Sequence, residues 1–451
     1  MVVKFTAVKF TIMKFYNRED ELTQLKGIKE MAYNDHSKLT VLTGRRRVGK
    51  TSLIFRALED ETFIYLFVGR KNEADLCSGY IKEIAQKLDI FVPPMDAFVD
   101  VFRFLMEQGT IRKFSLVIDE FQEFMNVNSS VYSDIQNYWD QYRIKTNINF
   151  VVSGSIYSLM VKIFQDKKEP LFGRADAMMR IRPFTIEVLK EIMYDHRPGY
   201  TNDELLALYT FTGGVPKYVE LLVDNKALTI TKMIRQICKP DSPFLGEGRN
   251  LLIEEFGKKY GNYFSILDAI SSGMNTQSEI EQFLGDKSLG GQLSKLETVY
   301  EVVTKQRPIF SKDGTQTVRY EISDNFLRFW FRYIERNRPL VEIGNFAGLE
   351  KIVVEDYTTY SGKTLERYFK QKLQESFEFC AIGSWWEAKG AQNEIDIVAV
   401  YLDNKRALVV EVKRQKKNFK PQVFEQKVQL LRSKEMHKYD IETQCWDMDD
   451  M

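Results

Sequence analysis

The chain has 451 residues, 44% hydrophobic and 28% charged, a globular balance with room for two to four domains at roughly 100–200 residues each. Lys+Arg number 64 against 63 Asp+Glu, a formal charge of +1, so net charge gives no argument for nucleic acid and any basic surface must be local. Four scattered cysteines, Cys77, Cys238, Cys380 and Cys445, exclude a disulfide framework and metal-ligand spacing, and fit a reducing cytoplasm.

No apolar run is long enough to span a bilayer, so no membrane partner is expected. The first residues, MVVKFTAVKFTIMKF, lack the apolar core of a signal peptide and read as an edge strand or a leader. From about Lys38 to Phe184 strand and helix signals alternate. Buried strands are expected at Leu39–Thr43, Thr62–Phe67, Phe114–Asp119, Phe150–Ser153 and Met178–Arg182, with helices such as Ala74–Leu88 and Val131–Tyr142 between them. That alternation predicts a parallel sheet with helices on both faces.

The stretch after the first strand, GRRRVGKTS, fits G-x-x-x-x-G-K-[ST] in a strand–loop–helix setting. Its residues Gly44, Arg45, Arg46, Arg47, Val48, Gly49, Lys50, Thr51 and Ser52 are expected to curl backbone N–H groups around the phosphates of ATP. Lys50 is expected on the β- and γ-phosphates, and the Thr51 hydroxyl on Mg²⁺. The strand Phe114–Asp119 continues into Glu120. Beside the phosphate loop it reads as a Walker B strand, Asp119 serving Mg²⁺ and Glu120 the attacking water. By itself the pair reads equally well as a strand that merely ends in a solvated acidic turn. Ser153, at the end of a third apolar strand, is the candidate sensor of the γ-phosphate; a self-satisfied strand-end serine is the ordinary alternative.

Residues Thr185 to Ile237 read as helices with turns at Arg197-Pro198-Gly199 and Gly213-Gly214, a lid after the nucleotide fold. Helical segments Phe264–Ser271, Thr276–Leu284 and Ser288–Leu296 then precede Val299–Lys305, a break at Pro308, a tight turn at Asp313-Gly314 and Thr317–Ile322. Three helices and a hairpin describe a winged helix-turn-helix. Lys287, Lys295, Lys305, Arg307, Lys312 and Arg319 make it a candidate DNA contact. A packing module between the flanking domains is the competing reading. The aromatic block Tyr320–Ile334 reads as core.

Two strands are expected near the C-terminus, Glu394–Tyr401 and Arg406–Val412. Asp396 lies in the first; Glu411 and Lys413 share one face of the second, because strand side chains repeat every two residues. A carboxylate opposite E-x-K can collect a divalent metal, with the lysine assisting a water. The pattern resembles the PD-(D/E)xK nuclease fold, and that resemblance implies that Glu366, on an amphipathic helix, is the helix acid that completes the site. The basic run from Lys413 to Lys417, continuing to Lys420, could meet a phosphate backbone; a solvated loop is its ordinary explanation.

In its first half the chain resembles the archaeal-type P-loop ATPases, AAA+/STAND-related proteins that also occur in bacteria. The supporting residues are Phe15-Tyr16-Asn17-Arg18-Glu19, the Gly44–Ser52 loop, LVIDEFQ at Leu116–Gln122, PLFGRA at Pro170–Ala175 and GGVPKYVE at Gly213–Glu220. The block at Tyr320–Phe331 is similar to one in the same family. The resemblance implies that Asn17-Arg18-Glu19 lies near the adenine side, with Asn17 and Arg18 as the binding residues, and Arg174 near the γ-phosphate as sensor or arginine finger. A structural ion pair is the alternative for Arg174, and its action within the chain or on a neighbour stays open. Lys217 matches the family's lid motif as a nucleotide sensor, or simply starts a helix. The C-terminal pattern resembles the PD-(D/E)xK nuclease fold, a module paired with this ATPase family.

The expected fold is thus multidomain α/β: a P-loop NTPase parallel sheet at residues 15–184, a helical lid at 185–255, a winged helix-turn-helix at 256–340 and a PD-(D/E)xK-like α/β domain at 350–451. The expected function is an ATPase, with ATP and Mg²⁺ as ligands, coupled to a module that binds DNA and is a candidate to cleave it. A regulatory switch that binds protein or DNA without cutting is the alternative. A homo-oligomer or protein partner is compatible with either.

Overall fold

The computed structural model describes residues 13–257, 260–312, 314, 317–387 and 393–451. Residues 1–12 of the expected N-terminal edge strand or leader, and Asp313 of the expected tight turn, lie outside the described residues. The chain divides into two compact units, Asn17–Pro183 and Phe184–Met451, the second joined by residues 13–16.

In the first unit the strands β1 (Lys38–Thr43), β2 (Phe63–Phe67), β3 (Phe114–Asp119), β4 (Ile148–Gly154) and β5 (Ala177–Arg180) form one sheet in the order β2-β3-β4-β1-β5, every pair parallel. Each strand is an apolar run because both faces are covered. Leu39, Val41, Leu116, Ile118, Phe150 and Val152 enter one cluster with the helices Glu73–Leu88, Phe98–Gln108, Val131–Tyr142 and Tyr157–Gln165. Leu42, Val117 and Val151 enter the other, beneath Glu19–Asn34 and Lys50–Ala57. Each such fully buried aliphatic side chain contributes about 1.5–3 kcal/mol. The carboxyl ends of β1, β3 and β4 therefore lie side by side, where an open α/β sheet presents its ligand site.

The second unit begins with the helices Ile186–His196, Asn202–Thr212, Pro216–Asp224, Ile230–Cys238 and Pro243–Phe256. Helices Tyr260–Ser271, Gln277–Phe283 and Gly290–Thr298 follow, then an antiparallel ribbon of β6 (Val303–Gln306) and β7 (Arg319–Ile322). Thr276 starts the second of these three through a capping box with Glu279. The aromatic block runs through Asn325–Phe329 into a π-helical turn, Trp330–Glu335. Phe326, Phe329, Trp330, Phe331 and Tyr333 are buried there, and a Cβ on Gly248 would strike the Trp330 ring.

The long helix Phe346–Glu375 leads into β8 (Phe379–Trp385), β9 (Ile395–Tyr401), β10 (Arg406–Val412), the helix Pro421–Lys434 and β11 (Asp440–Trp446). The sheet order is β11-β10-β9-β8, antiparallel except for β10 and β11. One core runs from the first helices of this unit through the three-helix segment to the long helix and one face of the sheet. The other face packs under Pro421–Lys434, joined by Ile309 and Phe310 from the β6–β7 connection. The segments expected as three domains, 185–255, 256–340 and 350–451, thus share a single unit.

Candidate functional sites

The loop between β1 and the helix Lys50–Ala57 needs its glycines. Gly44 has φ 148° and Gly49 φ 91°, and a Cβ on Gly44 would lie 2.5 Å from the Ile181 carbonyl oxygen. Arg47, at φ 70°, takes a left-handed turn that a non-glycine residue adopts at a cost. The buried Lys50 ammonium donates to the carbonyls of Gly44 (2.8 Å) and Arg45 (3.3 Å). Arg18 is buried as well: it donates to Glu21 (3.0 Å) and to the Arg182 carbonyl (2.6 Å), tying the unit's start to the chain after β5. Asn17 and Arg18 both have positive φ, 55° and 90°.

At the end of β3 the two carboxylates are held differently. Asp119 Oδ2 accepts from Thr51 Oγ1 (2.9 Å) and from the Tyr65 hydroxyl (2.7 Å), and its Oδ1 from the Glu120 amide (3.0 Å). Burial, then Asp119, raises the Tyr65 phenol far above its ordinary range. Glu120 has φ 55°; its Oε2 accepts from Gln122 Nε2 (2.6 Å) and Ser155 Oγ (2.7 Å). Gly154 allows this approach, since a Cβ there would meet Gln122 Oε1 at 2.5 Å. Ser153 is buried in β4 and its hydroxyl has no hydrogen-bond partner among the described residues. Ser155, two residues further on, is the serine that reaches Glu120.

A hydroxyl 2.9 Å from a carboxylate at the mouth of a glycine loop is a donor set suited to a hard divalent cation beside phosphates. Arg174 donates to Asp140 (2.7 Å) and to the carbonyls of Pro170 (2.7 Å) and Phe172 (3.1 Å). Lys217 pairs with Glu220 one turn along its own helix, at 2.9 Å. Tyr65, Gln122 and Ser155 were missed by sequence reasoning. Tyr65 is hidden inside an apolar strand, and only the β2–β3 pairing brings it to Asp119.

A second cluster forms in the C-terminal sheet. Asp396 on β9 is buried, and its Oδ2 accepts from the Val412 amide (2.8 Å). Glu411 on β10 accepts from Lys413 Nζ (2.9 Å) and, through both oxygens, from Lys427 Nζ (3.1 and 3.2 Å). Lys413 Nζ also lies 3.6 Å from Asp396. Lys427 sits on the helix over this face; its part could not be read from sequence, because it depends on how that helix packs. Glu366 on the long helix pairs with Lys363 at 3.0 Å. Burial, then the charge of Asp396, pushes Glu366 up to about 7. Asp396 is raised by burial and then by Glu411. Burial works against the Lys413 charge, but Asp396 and Glu411 outweigh it and raise its pKa. Among the described residues no three His, Cys, Asp or Glu side chains are gathered closely enough to hold a metal ion; ammonium groups stand beside Glu366 and Glu411 instead.

The basic residues of the three-helix segment divide. Lys287 and Lys295 are exposed. Arg319 is committed to Glu394 (3.0 Å) and lies 4.5 Å from the Trp386 ring centre, and the β6–β7 connection is bonded to the C-terminal sheet through the Ile309 amide and the Ser384 carbonyl (2.8 Å).

The parallel sheet, the glycine loop and the acid pair at the end of β3 define a P-loop ATPase. Residues 15–222 match a family described as an ATPase domain predominantly from Archaea, and residues 330–429 a family described as archaeal and bacterial proteins of unknown function. The uncharacterized protein MJECL04 of Methanocaldococcus jannaschii is 31% identical over 408 residues, 88% of this chain and 87% of its own length. The chain belongs to this archaeal-type ATPase family. A second protein of that organism, MJ0424, is 32% identical over 74 residues, 16% of this chain and 66% of its own length. The Walker-type ATPase PABY2304 of Pyrococcus abyssi has the same fold, with a TM-score of 0.53 and 21% identity over 70% of this chain and 96% of that one. Among the described residues no helix is long and apolar enough to cross a membrane.

Proposed function

We propose that this ATPase works with Mg²⁺ and drives a C-terminal site that cleaves phosphodiesters in DNA. In the nucleotide unit the Gly44–Ser52 loop cradles the triphosphate and Lys50 leaves its carbonyl partners for the β- and γ-phosphates. Thr51 and Asp119 would hold the cation, which when bound would neutralise charge on the phosphate oxygens. Glu120 orients the attacking water, with Ser155 and Gln122 setting the direction of its carboxylate and Ser153 free to sense phosphate. Asn17 and Arg18 serve the adenine side. Arg174 acts on the γ-phosphate only by exchanging Asp140 for it.

The observation that carries the C-terminal reading is convergence. One helix, β9 and β10 bring Glu366, Asp396, Glu411 and Lys413 into a single electrostatic cluster. The order helix, three strands, helix, strand supports a PD-(D/E)xK-type domain at 350–451, and the three helices with their ribbon support a winged helix at 256–340. Burying Asp396 and Glu411, with Glu366 partly buried beside them, costs stability that a purely structural role does not repay. A divalent cation there would activate water and stabilise charge on the phosphate. Glu411 and Asp396 would receive it as Lys427 and Lys413 swing away. Residues 15–184 are the nucleotide domain and 185–255 its lid in this reading. The protein works in the cytoplasm, on DNA and with a second copy or a protein partner.

The test is nicking of supercoiled plasmid with Mg²⁺ or Mn²⁺ by wild type and Asp396→Ala. Cleavage that survives in the variant rejects the site. A second reading, a nucleotide-dependent switch without cleavage, is favoured by the ammonium groups seated on Glu411. It predicts ATP turnover that responds to DNA, and no nicking by either protein.

A further inference from the structure

One carboxylate outside the C-terminal sheet binds both elements that carry its acid–lysine cluster. Asp203 stands in the first turn of the helix Asn202–Thr212. That turn is rigid: Thr201 and Glu204 form a capping box, and Arg197 grips Glu204 through two bonds, at 3.0 and 2.7 Å. Asp203 Oδ2 accepts from Arg414 Nη2 (2.8 Å). Its Oδ1 accepts from the Tyr357 hydroxyl (2.8 Å), which also reaches its carbonyl oxygen (3.1 Å). Arg414 Nη1 donates to Ser361 Oγ, and its guanidinium lies 5.5 Å from the centre of the Tyr357 ring.

The partners matter for where they lie. Arg414 directly follows Lys413, just past the end of β10, the strand of Glu411. Tyr357 and Ser361 are one turn apart on the long helix that carries Glu366. Asp203 therefore fastens the outgoing end of β10 to that helix. Pairing with β9 stops at Val410, while pairing with β11 runs on through Glu411 and Val412; on the β9 side the end of β10 is held by the Val412 amide on the Asp396 carboxylate, and on the β11 side by the Lys413 amide on the Trp446 carbonyl (2.9 Å). If the end loosens, Lys413 loses its place between Asp396 and Glu411. Tyr357 and Ser361 are buried and Arg414 nearly so, so water replaces the lost charge-assisted bond poorly.

We propose that Asp203 is a positioning residue for the C-terminal site, holding Glu411 and Lys413 in register with Glu366. Its effect on cleavage rests on the phosphodiesterase reading above; its hold on β10 rests on the geometry alone. The test uses the full chain as wild type, Asp203→Asn, Arg414→Gln and the double variant. Amide hydrogen exchange and Mn²⁺-dependent plasmid nicking are measured on each.

In either single variant the Val412 and Lys413 amides should exchange about tenfold faster, while Leu408 and Val409 in mid-strand keep their rates. Nicking should fall about tenfold in kcat at unchanged KM for DNA, and the double variant should be no worse than either single one. ATP turnover should not change. Wild-type exchange at Val412 and Lys413 in both single variants overturns the proposal. So does exchange that quickens evenly along β10, which marks a merely stabilising ion pair. If wild type nicks nothing while the local exchange quickens, the nuclease reading falls and the positioning role stands.

Discussion

Replacing Glu366 by Gln tests whether the C-terminal carboxylates are held at the expense of stability. Burial and Asp396 carry Glu366 from an ordinary 4.5 to about 7. Between those two values the folded chain keeps a proton that the unfolded chain has released. Stability therefore falls as pH rises through this window. Each pH unit costs about 1.4 kcal/mol, so the penalty is near zero below pH 4.5 and reaches about 3 kcal/mol above pH 7. Gln keeps the size and carries no charge. Losing the pairing with the half-exposed Lys363 gives back less than about 1 kcal/mol. The net gain is about 2 kcal/mol at pH 8, a rise of roughly 4 °C in the melting temperature, shrinking to about nothing at pH 5. Thermal melts of both proteins at pH 5, 6, 7 and 8, at one ionic strength, read this directly. A shift that is the same at every pH, or a variant less stable than wild type at pH 8, refutes the reasoning.

Lys50→Ala should lower ATP turnover by at least about a hundredfold, measured by phosphate release, with the melting temperature little changed; wild-type turnover would remove the phosphate loop from the mechanism. Ser155→Ala takes one of two donors from Glu120 and should lower kcat for ATP about tenfold at unchanged KM; a change confined to KM would place Ser155 in binding instead. Lys427→Met removes an ammonium from both oxygens of Glu411 and should tighten Mn²⁺ binding about tenfold by calorimetry. Equal affinity would show that Lys427 does not compete with the cation. Lys295→Ala should reduce the log–log salt slope of DNA binding by about 1, whereas Arg319→Ala should leave the slope alone and lower stability.

What was legible in the chain was whatever is enforced locally. The phosphate loop could be read because backbone torsions at Gly44 and Gly49 demand glycine, and because phosphate chemistry fixes the spacing of Lys50 and Thr51. The strand β3 was expected with its observed bounds, since a strand covered on both faces reads as an unbroken apolar run. At the sheet edge β5 is shorter than expected and starts one residue earlier, because pairing with β1 alone sets its limits. Partners made by packing were not legible. Ser155 meets Glu120 across 35 residues, and Lys427 meets Glu411 only because the helix Pro421–Lys434 lies over that face. Ile309 and Phe310 looked like the surroundings of a break at Pro308. They are instead the side chains that pin the ribbon to the C-terminal sheet.

That pinning bears on how the second unit would meet DNA. A wing contacts phosphates with free cations on a free hairpin. Here the ribbon's Arg319 is spent on Glu394 and Trp386, and its connection is bonded through the Ile309 amide and partly buried. To offer Arg319 to a phosphate, the chain would have to break an ion pair and leave Glu394, two residues from Asp396, with only the longer contact to Lys363 (3.9 Å). Taking one partner from a half-buried pair costs more than an exposed phosphate contact returns. Lys287 and Lys295 face water already and require no such exchange. A backbone laid along Gly290–Thr298 would leave the ribbon docked, and with it the acid that Arg319 holds beside the C-terminal cluster.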